Sequence, residues 1–289
     1  MTTTYADGRA PGYKPGATFG YLTEARRQLT RRRTQWTLGL LAFLPVLLAI
    51  AFKVGGDPEG ENEQGAFTSL SAIATGSALN FTLFALLVSS SFLLIVVVAL
   101  FCGDAVASEA SWGSLRYLLA IPVPRGRLLG IKLAVALSYC GLAFVVLTGS
   151  GLLTGWIVFG WSDLSLPLGG DLSMSTGLWR LAGVVGYLAL AMLPVGLLAF
   201  LLSVSTDAPL GAVGGAVLLQ ILSAILDQVT ALGSLRNVLP THYASAWLGL
   251  LSDPVNSDDM VRGAISVLVY STLFASLAWW RFSRKDVVS

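Results

Sequence analysis

Apolar residues along this chain run in long stretches broken by short polar segments, rather than alternating with the period of a half-buried strand. Six stretches, roughly 36–52, 79–102, 129–158, 178–203, 209–229 and 263–282, match the ~20 residues an α-helix needs to cross a bilayer. Hydrocarbon offers no partner for a backbone N–H or C=O, so each stretch is expected as a helix that bonds itself. The pattern predicts an all-α membrane protein with a six-span domain over 35–289. The second and third stretches exceed a perpendicular crossing, which leaves room for tilt or a break.

Ahead of the spans the pattern changes twice. Residues 1–17 are rich in Thr, Gly and Pro and read as a flexible tail. Over 18–34, Phe19, Leu22 and Leu29 recur among Arg26, Arg27, Arg31, Arg32 and Arg33. That spacing predicts an amphipathic helix on the inner membrane surface, its arginines reaching headgroup phosphates. A plain stop-transfer charge cluster is the simpler alternative. The polar arm is long for a signal peptide and no A-x-A-like site follows the first run, so that run is expected to be an uncleaved anchor.

Composition agrees with lipid as the solvent: 55% of residues are hydrophobic and 12% charged, about half the charge of a soluble domain. Such a surface would expose large apolar patches to water, and disorder is excluded by the same hydrophobicity. A net charge of +2 gives no footing for nucleic acid. Cys102, Cys140 and the one histidine, His242, make no zinc-ligand spacing.

Charge placement gives orientation. With the N-terminus cytoplasmic, 14 of 18 basic residues fall on that side, while Asp57, Glu59, Glu61 and Glu63 cluster in the first outer loop. The positive-inside rule therefore predicts cytoplasmic N- and C-termini. The last outer loop, 230–262, holds Trp247, Leu248, Leu250 and Leu251, a stretch too short to cross and expected as a re-entrant or interfacial helix.

Between spans two and three lies a cytoplasmic segment running from Gly103 to Arg127. Asp104 reads as the N-cap of a short helix, which Pro122 ends at Ile121. Glu109, Trp112 and Arg116 share one side by their spacing, with Leu115, Leu118 and Leu119 beside them. A mixed apolar and charged face of this kind suits docking in a partner's groove. A membrane-surface helix with solvated charges fits the same spacing.

The run from Gly103-Asp104 through Glu109 and Gly113-Ser114-Leu115-Arg116-Tyr117-Leu118-Leu119 to Pro122 and Arg125-Gly126-Arg127-Leu128-Leu129 resembles the permease subunit of type-2 ABC transporters. The likeness covers about 27 residues, with Ser114 where that family more often has Thr. It implies a coupling helix seated in a separate ATPase, with Asp104, Glu109, Trp112, Leu115, Arg116 and Leu119 at the contact. The turn holding Asp207 and Pro209 would be a second contact, and Arg125 and Arg127 would anchor the third span at the headgroups. It also implies two copies of the ATPase, a second permease (the same chain or a related one) and surrounding lipid. The setting would be a cell membrane, such as a bacterial inner or plasma membrane. The expected cargo is an amphipathic or hydrophobic compound: a drug, antibiotic or lipid-like molecule.

This chain has no G-x-x-x-x-G-K-[ST] cradle of its own, so ATP and Mg are expected on the partner, and no enzyme activity here. An ion-coupled carrier would need carboxylates within the spans; Gln220 and Asp227 in span five are the candidates, with Asp227 placed to pair with Arg236 or His242. A sensor built on the same permease fits the same residues. An intramembrane hydrolase is disfavoured, since Gly149-Ser150-Gly151 forms no G-x-S-x-G. Gly151 with Gly155, and Gly211 with Gly215, have the spacing for close helix packing.

Overall fold

The computed structural model describes residues 20–55, 66–111, 124–167 and 169–284. In chain order the helices are α1 (Tyr21–Leu29), α2 (Arg32–Gly55), α3 (Ala66–Ile73), α4 (Ala78–Ser91), α5 (Leu93–Ser111), α6 (Arg125–Phe159), α7 (Met174–Ala191), α8 (Leu193–Ser205), α9 (Pro209–Gln228) and α10 (Asp258–Ser283). Six segments are long and apolar enough to span a membrane: α2, α5, α6, α7 with α8, α9 and α10. The chain is an all-α, multi-pass membrane protein.

The bundle is built around α5, which packs on α8, α9 and α6; α8 also carries α9 and α10, and α6 carries α2 and α4. Of the most apolar window, 67% is buried in α5 but 11% in α9 and in α10. The outer helices turn Trp36, Leu40, Leu218, Ile225, Leu268 and their neighbours outward. In water that would be an aggregation surface; in lipid it is the solvated one.

Small residues set the closest approaches. A Cβ on Gly155 would lie 2.9 Å from the Ala78 Cα, and one on Gly151 would lie 3.2 Å from Thr82. The G-x-x-x-G spacing is therefore spent on packing α6 against α4. Gly103 plays the same part between α5 and α9, where a Cβ would stand 2.9 Å from the Val213 Cγ2.

Two crossings are broken. The second hydrophobic run is two helices, α4 and α5, parted at Phe92 (φ −148°, ψ −54°). The hydroxyls of Ser89, Ser90 and Ser91 donate to the carbonyls of Ala85 and Leu87 at the end of α4, supplying donors where the helix stops. The fourth is parted at Met192 between α7 and α8, and Pro194 sits in the first turn of α8, where its missing N–H costs no bond.

Gly20 and Arg284, the first and last described residues, lie at one end of the bundle, here the arm end. The opposite end carries a two-stranded hairpin, β1 (Leu164–Ser165) with β2 (Asp171–Leu172), whose turn uses Gly169 and Gly170 at φ +94°. Buried Asn80 holds it, donating to the Ser165 carbonyl at 2.8 Å and accepting from the Ser165 N–H at 3.1 Å. At this hairpin end the expected short helix exists as 3-10 turns at Thr230–Val238 and Ala246–Leu251. The second packs into protein, with Trp247 and Leu251 buried, while the first has no buried residue and leaves Leu235 and Val238 exposed.

Candidate functional site

At the arm end, helix geometry brings scattered charges together. Lys132 lies two turns into α6, in an apolar run, and is itself buried. A buried ammonium without partners would cost several kcal/mol, and Lys132 has two: Glu109 of α5 at 2.7 Å and Glu24 of α1 at 3.3 Å. Its Nζ also donates to the Ala105 carbonyl at 3.2 Å. Arg27 of α1 closes the set, pairing with Glu24 at 2.7 Å and with Glu109.

A second knot sits one turn away on α5. Asp104, 1% exposed, takes Arg31 at 2.8 Å and Arg33 on the same oxygen. These pairs tie three chain segments, α1 with the start of α2, the end of α5 and the start of α6, into one unit. Tyr139 adds a neutral tie, donating to the Ala25 carbonyl at 2.7 Å.

The electrostatics follow from that crowding. Burial works against the Glu24 carboxylate, but Lys132 and Arg27 outweigh it and hold the group below its ordinary 4.5. Arg27 is likewise opposed by burial and still held above the ordinary guanidinium value by Glu24 and Glu109. Arg31 goes the other way: burial and then repulsion from Arg27 lower it. The arginines of the turn carry more positive charge than their partners cancel.

At the hairpin end, a cavity of about 510 Å³ opens beside both helix breaks. Leu87, Leu188, Met192 and Ile221 give it an apolar wall, and Gln220, Asp227 and His242 give it a polar one. Asp227 meets the His242 Nδ1 at 2.6 Å and the Arg236 Nε at 3.6 Å. The loop above is held by donors reaching its carbonyls: Arg180 to Leu250 and Ser252, Tyr187 to Tyr243, and Tyr270 to Val238. Among the described residues no three His, Cys, Asp or Glu side chains converge as a metal ion would need.

Comparison with protein families gives a match to DUF2705, a family of unknown function, over residues 46–288. The chain belongs to the DUF2705 family. No curated protein matches it.

Within this DUF2705 chain, several expected site residues stand elsewhere than their spacing indicated. Asp104 caps no helix: α5 runs on through it to Ser111, because the arginines of the arm neutralise its charge inside the bundle. Glu109 is not displayed to solvent but is 2% exposed beneath Lys132 and Arg27. The 18–34 helix is also two: α1 ends at Leu29, the chain turns at Thr30 and Arg31, and Arg32 and Arg33 open α2. That turn aims Arg31 at Asp104, so Arg27, Arg31 and Arg33 spend their charge on α5 rather than on headgroups alone. Arg26 and Arg32 remain exposed.

Trp112, Leu115, Arg116 and Leu119 lie outside the described residues. Arg125 and Arg127 open α6, where Arg125 donates to the Ser283 carbonyl at 3.2 Å. Asp207 is exposed and Pro209 begins α9 beside the arm. Asp227 holds both expected partners, and Gln220 lines the same cavity. Cys102 and Cys140, far apart in sequence, face each other as free thiols 3.8 Å apart. Glu24 and Lys132 were missed as site residues; a lysine four places into an apolar run was the available signal, since it demands buried acids.

Proposed function

We propose that this chain is the membrane-spanning subunit of an ATP-driven exporter, worked by a separate ATPase of the ABC type. The observation that carries the reading is the charge-tied unit at the arm end. Segment 112–123 joins the end of α5 to the start of α6, the two elements that Glu109 and Lys132 lock to each other and to α1. A partner that grips that segment moves three helices rather than a loop. The resemblance of Gly103–Leu129 to a permease coupling region supports the same partner.

Cargo would occupy the cavity beside Phe92 and Met192, where two crossings are interrupted. Its mixed wall suits an amphipathic or hydrophobic compound such as a drug, antibiotic or lipid-like molecule. ATP and Mg would be held by two partner ATPase subunits, and a second permease would complete the pathway. The positive-inside distribution puts the arm end, with both termini, in the cytoplasm of a cell.

The test is affinity purification from the native membrane in mild detergent. An ATP-binding-cassette protein in stoichiometric amount is expected, and Leu115→Ala with Arg116→Ala should release it while the chain keeps its melting temperature. Purification of the chain without any such ATPase, under conditions that preserve other membrane complexes, would overturn the reading.

A further inference from the structure

The seam between α2 and α5 carries two cavities that the transport reading does not use. The first, about 550 Å³, lies at the arm end and is lined by Arg27, Arg31, Arg32 and Arg33 with the acids Asp104 and Glu109. Four guanidinium groups against two carboxylates leave an excess of two positive charges in the lining. Burial, and after it the neighbouring Arg27, lower the Arg31 pKa although Glu109 and Glu24 act to raise it. Asp104, 1% exposed, keeps its Oδ1 without a hydrogen-bond partner among the described residues. The cavity thus offers several donors for an anion and one acceptor for a hydroxyl.

The second cavity, about 580 Å³, is a groove between the same two helices. Trp36, Leu40 and Phe43 wall it from α2, and Val96, Val97 and Leu100 from α5. The two cavities follow each other along the helices. On α2, Arg33 is one turn before Trp36 and Thr37; on α5, Asp104 is one turn beyond Leu100. From Leu93 to Leu100 the groove runs roughly 10 Å at 1.5 Å per residue. Its walls carry no charge, and Trp36, 78% exposed, stands where the charged part meets the apolar part, the level a tryptophan takes at a membrane interface.

We propose that this seam binds one anionic phospholipid, its phosphate among Arg31, Arg32 and Arg33, a headgroup hydroxyl on Asp104, and an acyl chain in the α2–α5 groove. Each part constrains the ligand. The excess positive charge selects a phosphate, the free carboxylate oxygen selects a hydroxyl-bearing headgroup, and the groove selects an amphiphile over a soluble phosphate. Guanidinium groups suit phosphate because they can donate two parallel hydrogen bonds. The lipid would also brace the arm, since its phosphate neutralises the cations that α5 alone leaves in excess. The proposal does not depend on the chain being a transporter.

The groove can be blocked without disturbing the fold. A Cβ placed on Gly39, which lines it, meets nothing within 4 Å. Gly39→Leu therefore fills the space a chain would take. Arg32→Gln removes an exposed cation from the headgroup end and breaks none of the ion pairs described above.

The experiment is native mass spectrometry of the detergent-purified full chain titrated with phosphatidylglycerol or phosphatidylcholine. Wild-type protein should retain one phosphatidylglycerol at concentrations where phosphatidylcholine is lost. Arg32→Gln should cut that preference about tenfold, the cost of one charge-assisted contact. Gly39→Leu should weaken retention of both lipids with the melting temperature unchanged. Inorganic phosphate and glycerol phosphate at millimolar concentration should not displace the lipid; displacement by either would mean a soluble anion site and overturn the proposal. Equal retention of the two lipids by wild type would overturn it too. Gly39→Leu that turns a dimer into a monomer while leaving lipid retention intact would assign the groove to a second copy of the chain, and would also overturn it.

Discussion

The two ends of this bundle lean on different polar contacts. At the arm end, charged side chains bind one another across the chain: Lys132 with Glu24 and Glu109, Asp104 with Arg31 and Arg33. At the hairpin end, Asp227 holds His242 and Arg236 within one stretch of chain, single donors such as Arg180, Tyr187 and Tyr270 reach backbone carbonyls, and a cavity opens beside Asp227 and His242. An ion pair between buried groups has one good geometry, and breaking it strands a charge. A side chain holding a loop carbonyl tolerates small shifts of that loop. The arm end is therefore tied across distant segments by its charges, while the hairpin end leaves open space beside a tethered loop.

The contrast breaks most visibly at Lys132. Lys132→Met removes the buried cation that Glu24 and Glu109 share, and should cost about 3–5 kcal/mol, the usual penalty for stranding a buried charge. Thermal unfolding in detergent measures it. Adding Glu109→Gln removes one of the two acids left beside the lost cation, and more than half of the loss should return. A second loss of similar size on adding it would mean the cluster is not one electrostatic unit.

Next comes the packing that carries the arm end into the core. Gly103→Val drives a side chain into Val213 where a Cβ alone would stand at 2.9 Å, and should destabilise by about 1–3 kcal/mol. At the hairpin end Asp227→Asn removes the ionic partner of His242 and Arg236, and should cost about 1–2 kcal/mol. Hydrogen exchange should then rise around 236–245 and stay unchanged in α1; a rise in α1 as well would mean the ends are not independent.

The smallest effect is on pH. The Glu24 carboxyl titrates below its ordinary 4.5, so its contribution is complete above that value and is lost as pH falls through the depressed one. Exchange protection of α1 should hold steady from pH 7 to 5 and drop only in more acid solution. Glu24→Gln should remove that drop.

The spans were legible because lipid demands ~20 apolar residues of any helix, and that demand is written locally. Local spacing also found the packing of Gly151 with Gly155 and the pairing of Asp227, whose partners lie within the next 15 residues. The charged unit was not legible, for a reason of distance. Glu24 and Lys132 are 108 residues apart, and read by its near neighbours alone Glu109 looks like an exposed member of a helix face. Burial reversed its meaning: the same carboxylate that seemed offered to a partner holds the protein's own helices together. The length of the second run left room for a break but did not locate it at Phe92, since an apolar run reads the same whether one helix or two cross within it.

The proposed function requires a partner at segment 112–123. A photoreactive amino acid at position 115, activated in native membranes, tests that contact directly. The account predicts a cross-link to an ATP-binding-cassette ATPase that disappears when Arg116→Ala is added. Cross-links confined to lipid or to this chain itself would contradict it.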